Sequence, residues 1–289
     1  MINKNKIFIL IGLLIIILIG LFIFNYTPIY IEKKLKITHN AGFFSCCNIK
    51  LFEIIQSFNK NKILPGIVDS SEQFNLYKPS NLTNDITEHF FTHQLCDIIY
   101  KKNINILNSY NNEDQFSNYK LLNLIELQPF IYKYFYPSNE IINIQNNLLN
   151  KYNINTTNCI ALYYRGTDKQ SETLLGDFDK YNEMLQYVNN NNYTILIQTD
   201  SSHFLNYIKQ RNNNYIIINE NKVSENNTGI HNENDNNTNY NDIKYLFATF
   251  LILSKCKHII MSSGNCSLWT IYYRGNADNI YQYLNDKFI

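Results

Sequence analysis

From residue 153 onward, short apolar runs alternate with segments of helical periodicity, and this alternation restricts the fold more than any other feature of the chain. The runs that predict strands are residues 159–164, 193–198, 215–218 and 258–261. The segments that predict helices are residues 179–189, 201–211, 242–254 and 267–274, with an Asn-rich loop over 220–239. Strands separated by helices of about ten residues are typical of βαβ units and a parallel sheet.

The first 150 residues are less regular and predict fewer elements. A strand over 36–39 leads to a turn at Gly42, a helix follows over 48–58, and residues 67–68 form a short strand. Ser138 is suited to cap a helix over 139–149. At about 150 residues per domain, 289 residues allow two lobes. We therefore predict an α/β protein whose lobes, over 35–150 and 151–289, face each other across a ligand cleft.

Residues 7–24 (IFILIGLLIIILIGLFIF) form an unbroken apolar stretch. As a helix it would span roughly 27 Å, close to the hydrocarbon thickness of a bilayer. A signal peptide is the alternative reading, but its apolar region usually runs about 7–15 residues and ends at small residues. We predict an N-terminal transmembrane helix that stays attached, within an anchor and stem over 1–34. Lysines flank both ends, so the charge rule barely favours either orientation; we predict a single-pass type II arrangement with the rest of the chain lumenal.

Composition and motifs exclude several classes of function. The formal net charge of +1 argues against a nucleic-acid partner, because binding to phosphates favours a basic surface. The chain has no G-x-G-x-x-G, P-loop or G-x-S-x-G motif. Asp177 and Asp179 match a D-x-D metal pattern, but they precede a helix, whose N-terminus favours acidic residues. We therefore predict that no metal is required. Of the histidines, only His39, before the glycine turn, is kept as a cleft candidate.

Polar residues follow three of the predicted strands. They are the segments 165–169 (RGTDK), 199–200 (TD) and 262–265 (SSGN). In open parallel sheets, ligands bind beyond the carboxyl ends of the strands. The planar fork of an arginine suits a diphosphate, and the helix that starts after 262–265 adds backbone N–H groups that favour anions. The alternative is that Arg165 and Asp168 form only a structural pair.

The tetrapeptide YYRG occurs twice, at 163–166 and at 272–275. In the second copy, Arg274 lies in the last turn of a predicted helix, where a cation suits the carbonyl ends, and Gly275 is placed to form a left-handed C-cap. Only the first copy follows a strand. We therefore assign a ligand-binding role to Arg165 and a structural role to Arg274.

Three segments resemble motifs of a known family. Residues 162–169 (LYYRGTDK) resemble the (H/Y)-x-R-R-T-D-K motif of α-1,6-fucosyltransferases and nodulation fucosyltransferases. Residues 199–200 resemble their second motif, and residues 253–267 resemble the third, a strand followed by a serine-rich turn. The order and spacing agree across residues 153–283.

The resemblance implies a GT-B-like fold of two Rossmann-like lobes, with GDP-fucose as donor substrate, no other cofactor, no metal and inversion at the sugar carbon. The N-terminal lobe would be the acceptor side, and the C-terminal lobe would bind the nucleotide sugar. Arg165 would hold the diphosphate and stabilise the charge on the leaving group. Lys169 and Glu172 would lie near the base that deprotonates the acceptor hydroxyl. The implied donor-binding residues are Tyr163, Asp168, Thr199, Asp200, Ser262, Ser263, Asn265 and Ser267.

The function expected from these features is a membrane-anchored inverting glycosyltransferase that transfers fucose to a glycan or glycoprotein, with residues 7–24 in the membrane. Two alternatives stay open: the same fold with another nucleotide sugar, and a degenerate domain that binds a nucleotide or glycan without catalysis. Gly166 stands where the motif has its second arginine. The acidic residue that reads guanine in the family falls near Thr249, with Asp242 a couple of turns earlier.

Overall fold

The computed structural model describes residues 34–61, 64–94, 114–171, 173, 175–225 and 228–289. The predicted anchor over 7–24 and the predicted catalytic residue Glu172 lie outside these ranges. The described strands are β1 (Lys34–Lys36), β2 (Ile67–Asp69), β3 (Phe91–Thr92), β4 (Tyr136–Pro137), β5 (Cys159–Tyr164), β6 (Thr194–Thr199), β7 (Tyr215–Ile217), β8 (His258–Ser262), β9 (Ile280–Leu284) and β10 (Lys287–Phe288). The described helices are α1 (Phe43–Asn61), α2 (Leu124–Tyr134), α3 (Asn139–Lys151), α4 (Phe178–Val188), α5 (Ser202–Lys209), α6 (Ile230–Glu233), α7 (Asn236–Leu253) and α8 (Asn265–Arg274).

A six-stranded sheet in the order β10-β9-β8-β5-β6-β7 organises the C-terminal half. Its strands run parallel except β10, which pairs antiparallel with β9. The chain moves outward from β5 through α4, β6 and α5 to β7, and α7 then returns it to β8 on the other side of β5. The strand order therefore reverses between β5 and β8, which is where open α/β sheets bind ligands.

Every residue of β5 is buried, because helices cover both faces of the sheet. Ile160, Leu162 and Tyr164 pack with α4 and α5 on one face. The alternate residues, such as Ala161 and Tyr163, pack with α7, α8 and the N-terminal half on the other. Two covered faces explain why the strand reads as a continuous apolar run and not as an alternating one.

The N-terminal half shares its core with the sheet. Its described strands make two pairs, β1 with β2 in parallel and β3 with β4 antiparallel, and α1 connects β1 to β2 as one βαβ unit. The ring of Phe44 on α1 lies 5.5 Å from that of Phe250 and 6.2 Å from that of Trp269. The ring of Phe135 lies 4.7 Å from that of Trp269, at an interplanar angle of 58°. The division at residue 150 into two lobes stays a prediction.

Most predicted elements are confirmed, and the differences have local causes. Helix α1 begins at Phe43, within the predicted turn. Strand β1 ends at Lys36, which is the first residue of the predicted strand over 36–39. Helix α7 begins six residues early, inside the expected Asn-rich loop, because the Asp235 carboxylate caps it by accepting hydrogen bonds from the N–H groups of Asn237 (2.8 Å) and Thr238 (3.0 Å). The predicted cap at Ser138 is confirmed, since its hydroxyl accepts from the N–H of Ile141.

The sequence analysis missed the last two strands. Asn285 and Asp286, at φ 51° and 65°, form the two-residue turn between β9 and β10. This left-handed pair is the hairpin turn that Asn and Asp favour, so the signal was present in the sequence. Among the helices of the described ranges, none has the length and apolarity needed to cross a bilayer.

Candidate functional site

A cavity of about 470 Å³ opens at the carboxyl ends of β5, β6 and β8. The start of α1, helix α7 and the segment after β7 complete its walls. It lies at the reversal of strand order, and both halves of the chain contribute residues to it. Residues from both halves thus line one cavity, whereas its position between two separate lobes stays a prediction.

Asp200, at the end of β6, holds the loop that follows β5. Its carboxylate accepts hydrogen bonds from the N–H of Gly166 (2.7 Å) and the hydroxyl of Thr167 (2.6 Å), and its Oδ2 lies 3.1 Å from Nη1 of Arg165. Only 5% of Asp200 is exposed. Because charge-assisted hydrogen bonds strengthen when water is excluded, one carboxylate fixes three consecutive residues.

Arg165 is the cation at the centre of the site. Its Nη2 donates to Oδ1 of Asp168 at 2.6 Å, and its backbone N–H donates to the hydroxyl of Ser262 at 3.0 Å. Burial alone would lower the pKa of Arg165, but Asp200 and the neighbouring groups outweigh it, so the pKa is raised and the guanidinium stays charged. Its Nε is buried and has no hydrogen-bond partner among the described residues. A buried donor without a partner is unusual in a native protein and is satisfied when a ligand supplies an acceptor.

The serine-rich turn after β8 supports this arginine through the hydroxyl of Ser262. The Ser262 hydroxyl also bonds the Tyr181 hydroxyl at 2.8 Å, and the Ser267 hydroxyl donates to the Ser262 carbonyl. Gly264 has φ 146°, a conformation that favours glycine, and its N–H donates to the hydroxyl of Tyr119 at 3.1 Å. The turn is therefore held by side chains on both sides, and at least one of its N–H groups is already used.

The structure brings most of the predicted site residues together. Those lining the 470 Å³ cavity are Tyr163, Arg165, Asp168, Lys169, Asp200, Ser263 and Asn265. Ser262 instead lines a second cavity of about 230 Å³, which shares Arg165 and Lys169 with the first. Thr199 and Ser267 are buried and line neither cavity. Thr199 accepts from the N–H of Ser201 at 3.1 Å, so its hydroxyl serves the turn after β6.

The sequence analysis missed a group of amide side chains at the far end of the 470 Å³ cavity. The Asn221 amide donates to Oε1 of Gln198 (2.7 Å) and to the hydroxyl of Thr249 (2.8 Å), while its own Oδ1 is buried with no partner in the part of the chain that the structure describes. Asp242 lines the same end and pairs with Lys222 at 2.8 Å. Asn221 directly follows the strand β7 and its short turn. Polar residues thus follow a fourth strand of the sequence. The high Asn content of the chain made this pattern hard to recognise.

Three further expectations concern single residues. His39 does not line the cavity; its Nε2 lies 3.2 Å from the hydroxyl of Ser45, which does. His231 lines the cavity although the sequence gave no reason to select it. Asp177 caps α4 by accepting from the N–H of Asp179 at 3.0 Å, as expected for an acidic helix start.

The two YYRG copies differ as predicted, with one change. Gly275 adopts the left-handed conformation, φ 77°, and its N–H donates to the Ile271 carbonyl. Arg274, however, does not bond the carbonyls of its own helix. It donates to the carbonyls of Ser254 (3.0 Å) and Cys256 (2.7 Å), at the end of α7. Its role is structural, and it ties α8 to α7.

Neither a protein-family model nor a curated protein matches the sequence. Among solved structures, the α-1,6-fucosyltransferase NodZ co-crystallized with GDP matches with a TM-score of 0.50 and 11% identity, covering 88% of this chain and 96% of that chain. NodZ from Bradyrhizobium gives a TM-score of 0.47 and 10% identity over 84% of this chain and 92% of that chain. For NodZ soaked with GDP-fucose the TM-score is 0.39 at 12% identity, and the match spans 55% of this chain and about half, 49%, of that chain. The chain has a fucosyltransferase-like fold. The predicted resemblance is confirmed at that level.

The geometry predicts strong coupling between Arg165 and Asp200. Removing one partner of a buried ion pair leaves an uncompensated charge, so Arg165→Met or Asp200→Asn should each cost about 3 kcal/mol of stability. The double variant should cost clearly less than the sum. Urea unfolding of the four proteins, followed by far-UV circular dichroism, measures this.

The exposed pair Lys180–Asp286, at 2.8 Å, is the matched control. Its coupling should be much weaker than that of Arg165 and Asp200, because water screens surface ion pairs. If the Arg165 and Asp200 effects add within about 0.5 kcal/mol, the pair does not organise the site.

Proposed function

We propose that this protein is a glycosyltransferase that uses a GDP-linked sugar, with fucose as the expected sugar. The observation that carries the proposal is Arg165: its side chain is only 17% exposed, its Nε has no hydrogen-bond partner among the described residues, and it lies at the reversal of strand order beside a 470 Å³ cavity. The fold it stands in resembles that of NodZ, an α-1,6-fucosyltransferase co-crystallized with GDP. Cavities of about 300–1,000 Å³ suit small-molecule ligands of this size.

Arg165 would bind the diphosphate of the donor. Its guanidinium can bond two phosphate oxygens at once and stays charged through the working pH range. As the bond to the sugar breaks, negative charge grows on the departing GDP. A cation fixed in advance by Asp200 stabilises that charge without having to reorganise, which is the usual origin of large rate effects.

The amide group around Asn221 would bind the base. Guanine presents N–H donors on one edge, and the buried Oδ1 of Asn221 lacks a donor among the described residues. Leaving such an acceptor unpaired costs about 1–3 kcal/mol, which a bound base would recover. Asp242, at the same end of the cavity, offers further acceptors. These residues take the place of an acidic side chain at Thr249, which is fully buried and bonded to Asn221.

The acceptor would approach from the second cavity. The two cavities share Arg165 and Lys169 as a common wall, so an acceptor hydroxyl there would lie next to the donor phosphates. Inverting transfer needs a base to take the proton from that hydroxyl. Glu172 is the proposed base, with Lys169 beside it, and metal is not required. The N-terminal half would hold the glycan or glycoprotein acceptor, although residues 41–45 also line the donor cavity.

Residues 7–24 would anchor the enzyme in a membrane as a single-pass type II protein, with the catalytic part in the lumen of the secretory pathway. This proposal rests on the length and apolarity of that stretch in the sequence.

GDP should raise the thermal midpoint of the full-length chain in detergent, and UDP and ADP should raise it less. A ligand at 100 times its Kd stabilises by about 2.7 kcal/mol, a shift of several degrees. Arg165→Ala should abolish the GDP shift. Arg274→Ala, the matched change in the second YYRG copy, should lower the midpoint but keep the GDP shift. No protection by any nucleotide would contradict the proposal.

Glu172→Gln should separate binding from catalysis. The Gln amide keeps the size of the Glu172 side chain but cannot take the proton from the acceptor hydroxyl. Transfer of fucose should therefore fall at least about a hundredfold. The thermal shift with GDP should remain. A nucleotide-release assay with GDP-fucose and a glycan panel measures the rate. Full transfer activity in this variant would show that another group is the base, and GDP binding with no transfer by the wild type would favour the degenerate binding domain.

A further inference from the structure

The charge of the 470 Å³ cavity does not suit a diphosphate. Three basic side chains line it (Arg165, Lys169 and Lys222), against four acidic ones (Asp168, Asp200, Glu220 and Asp242). Arg165 is already paired with both Asp168 and Asp200. A nucleoside diphosphate adds about two to three negative charges at neutral pH. Because Glu220 is paired with Lys151 from outside the cavity, the other three acidic and three basic side chains balance, and the free cavity holds no surplus positive charge for the diphosphate.

Gly166 cannot supply the second cation and leaves no room for one. A Cβ built on it would lie 2.9 Å from Cβ of Ser201 and 3.1 Å from the ring of Tyr164. Its N–H is bonded to Asp200. The loop after β5 therefore offers one arginine and Lys169, and any further cation must come from another element.

His231, on the short helix α6, is placed to do this. It lines the cavity, and a Cβ built on Gly229 would lie 2.8 Å from His231 Cε1 and 2.9 Å from Asp168 Oδ2. The imidazole and the carboxylate that pairs with Arg165 are thus neighbours. The Asn239 amide donates to the His231 carbonyl at 2.7 Å, which fixes the backbone of α6 against α7.

The groups that face His231 come from two segments, the loop after β5 and the turn that contains Tyr77. Burial lowers its pKa, the positive charges of Arg165 and Lys169 lower it further, and Asp168 raises it; the net direction is downward. The Tyr77 ring lies 6.5 Å away, and burial raises its pKa, so it stays neutral. In the free protein at neutral pH, His231 is therefore uncharged.

We propose that His231 takes up a proton from solvent when the diphosphate binds and becomes an additional cation of the donor site, beside Arg165 and Lys169. This inference rests on the proposed function. The imidazolium would either pair with Asp168, which frees part of the Arg165 guanidinium for the phosphates, or donate directly to a phosphate oxygen. Asp168 would then act as a positioning residue and not as a donor ligand.

The proton uptake has a fixed sign. The negative diphosphate raises the pKa of His231 in the complex above its value in the free protein. Its contribution to affinity is therefore complete below the free-state pKa and is lost as pH rises through the bound-state pKa. Asp168 does not contribute to the pH dependence in this range, because its own pKa is lowered and its carboxylate stays ionised.

Calorimetric titration of the full-length chain in detergent with GDP, in EDTA, tests the inference. Between pH 8 and pH 6, the wild-type Kd should fall about fivefold to tenfold relative to that of H231Q, since a pKa shift of one unit is tenfold in affinity. The ratio to H231Q removes the titration of GDP itself. Titrations in two buffers of different ionisation enthalpy should show a fraction of a proton taken up by the wild type and less by H231Q.

Two further variants complete the experiment. H231K carries a permanent charge, so its affinity relative to H231Q at pH 8 should reach the ratio that the wild type shows at pH 6. H203Q makes the same change at an exposed histidine on α5 and should behave as the wild type. Equal pH dependence in the wild type and H231Q, with GDP bound by both, overturns this inference alone. Absence of GDP binding by the wild type at either pH overturns the proposed function and this inference with it.

Discussion

The contacts of Asp200 with the loop after β5 determine the rest of the site. Asp200 follows β6. Its carboxylate binds Arg165, Gly166 and Thr167, the three residues that follow the neighbouring strand β5. The buried strands around β5 supply a rigid edge, and Asp200 converts that edge into a fixed position for one guanidinium. The serine turn after β8 supports the same loop from the other side through Ser262. A cation held in this way by three neighbouring strands needs no movement to receive an anion.

The acidic side chains that hold Arg165 in place also reduce the positive charge of the cavity. The carboxylates that hold it also neutralise it, and the cavity as a whole carries more acidic than basic side chains. A site built only from these residues would bind a diphosphate poorly. The segment between β7 and α7 contributes His231, which lies near Asp168, and Lys222, which pairs with Asp242. The polar segment between β7 and α7 therefore contributes charged and titratable side chains to the wall of the cavity.

The sequence predicted the framework and the arginine, because both depend on strong local signals. The apolar runs of β5, β6 and β8 are long enough to be recognised without other information, and RGTDK, TD and SSGN directly follow them. Burial of Thr199 and Ser267 could not be foreseen in the same way, since a hydroxyl at a strand end can face either the ligand or the turn. Asn221 and His231 come from a polar, Asn-rich segment that has no hydrophobic period, so only the folded arrangement brings them to the cavity. Tyr119, which bonds Gly264, lies far away in the sequence, in the half that was hardest to trace.

A crystal structure of the chain with GDP tests the central claim most directly. The account predicts the diphosphate in the 470 Å³ cavity, with phosphate oxygens within hydrogen-bond distance of the Arg165 guanidinium and the base at the Asn221 end. A nucleotide bound elsewhere, or one bound in this cavity with Arg165 still paired only to Asp168 and Asp200, would contradict it.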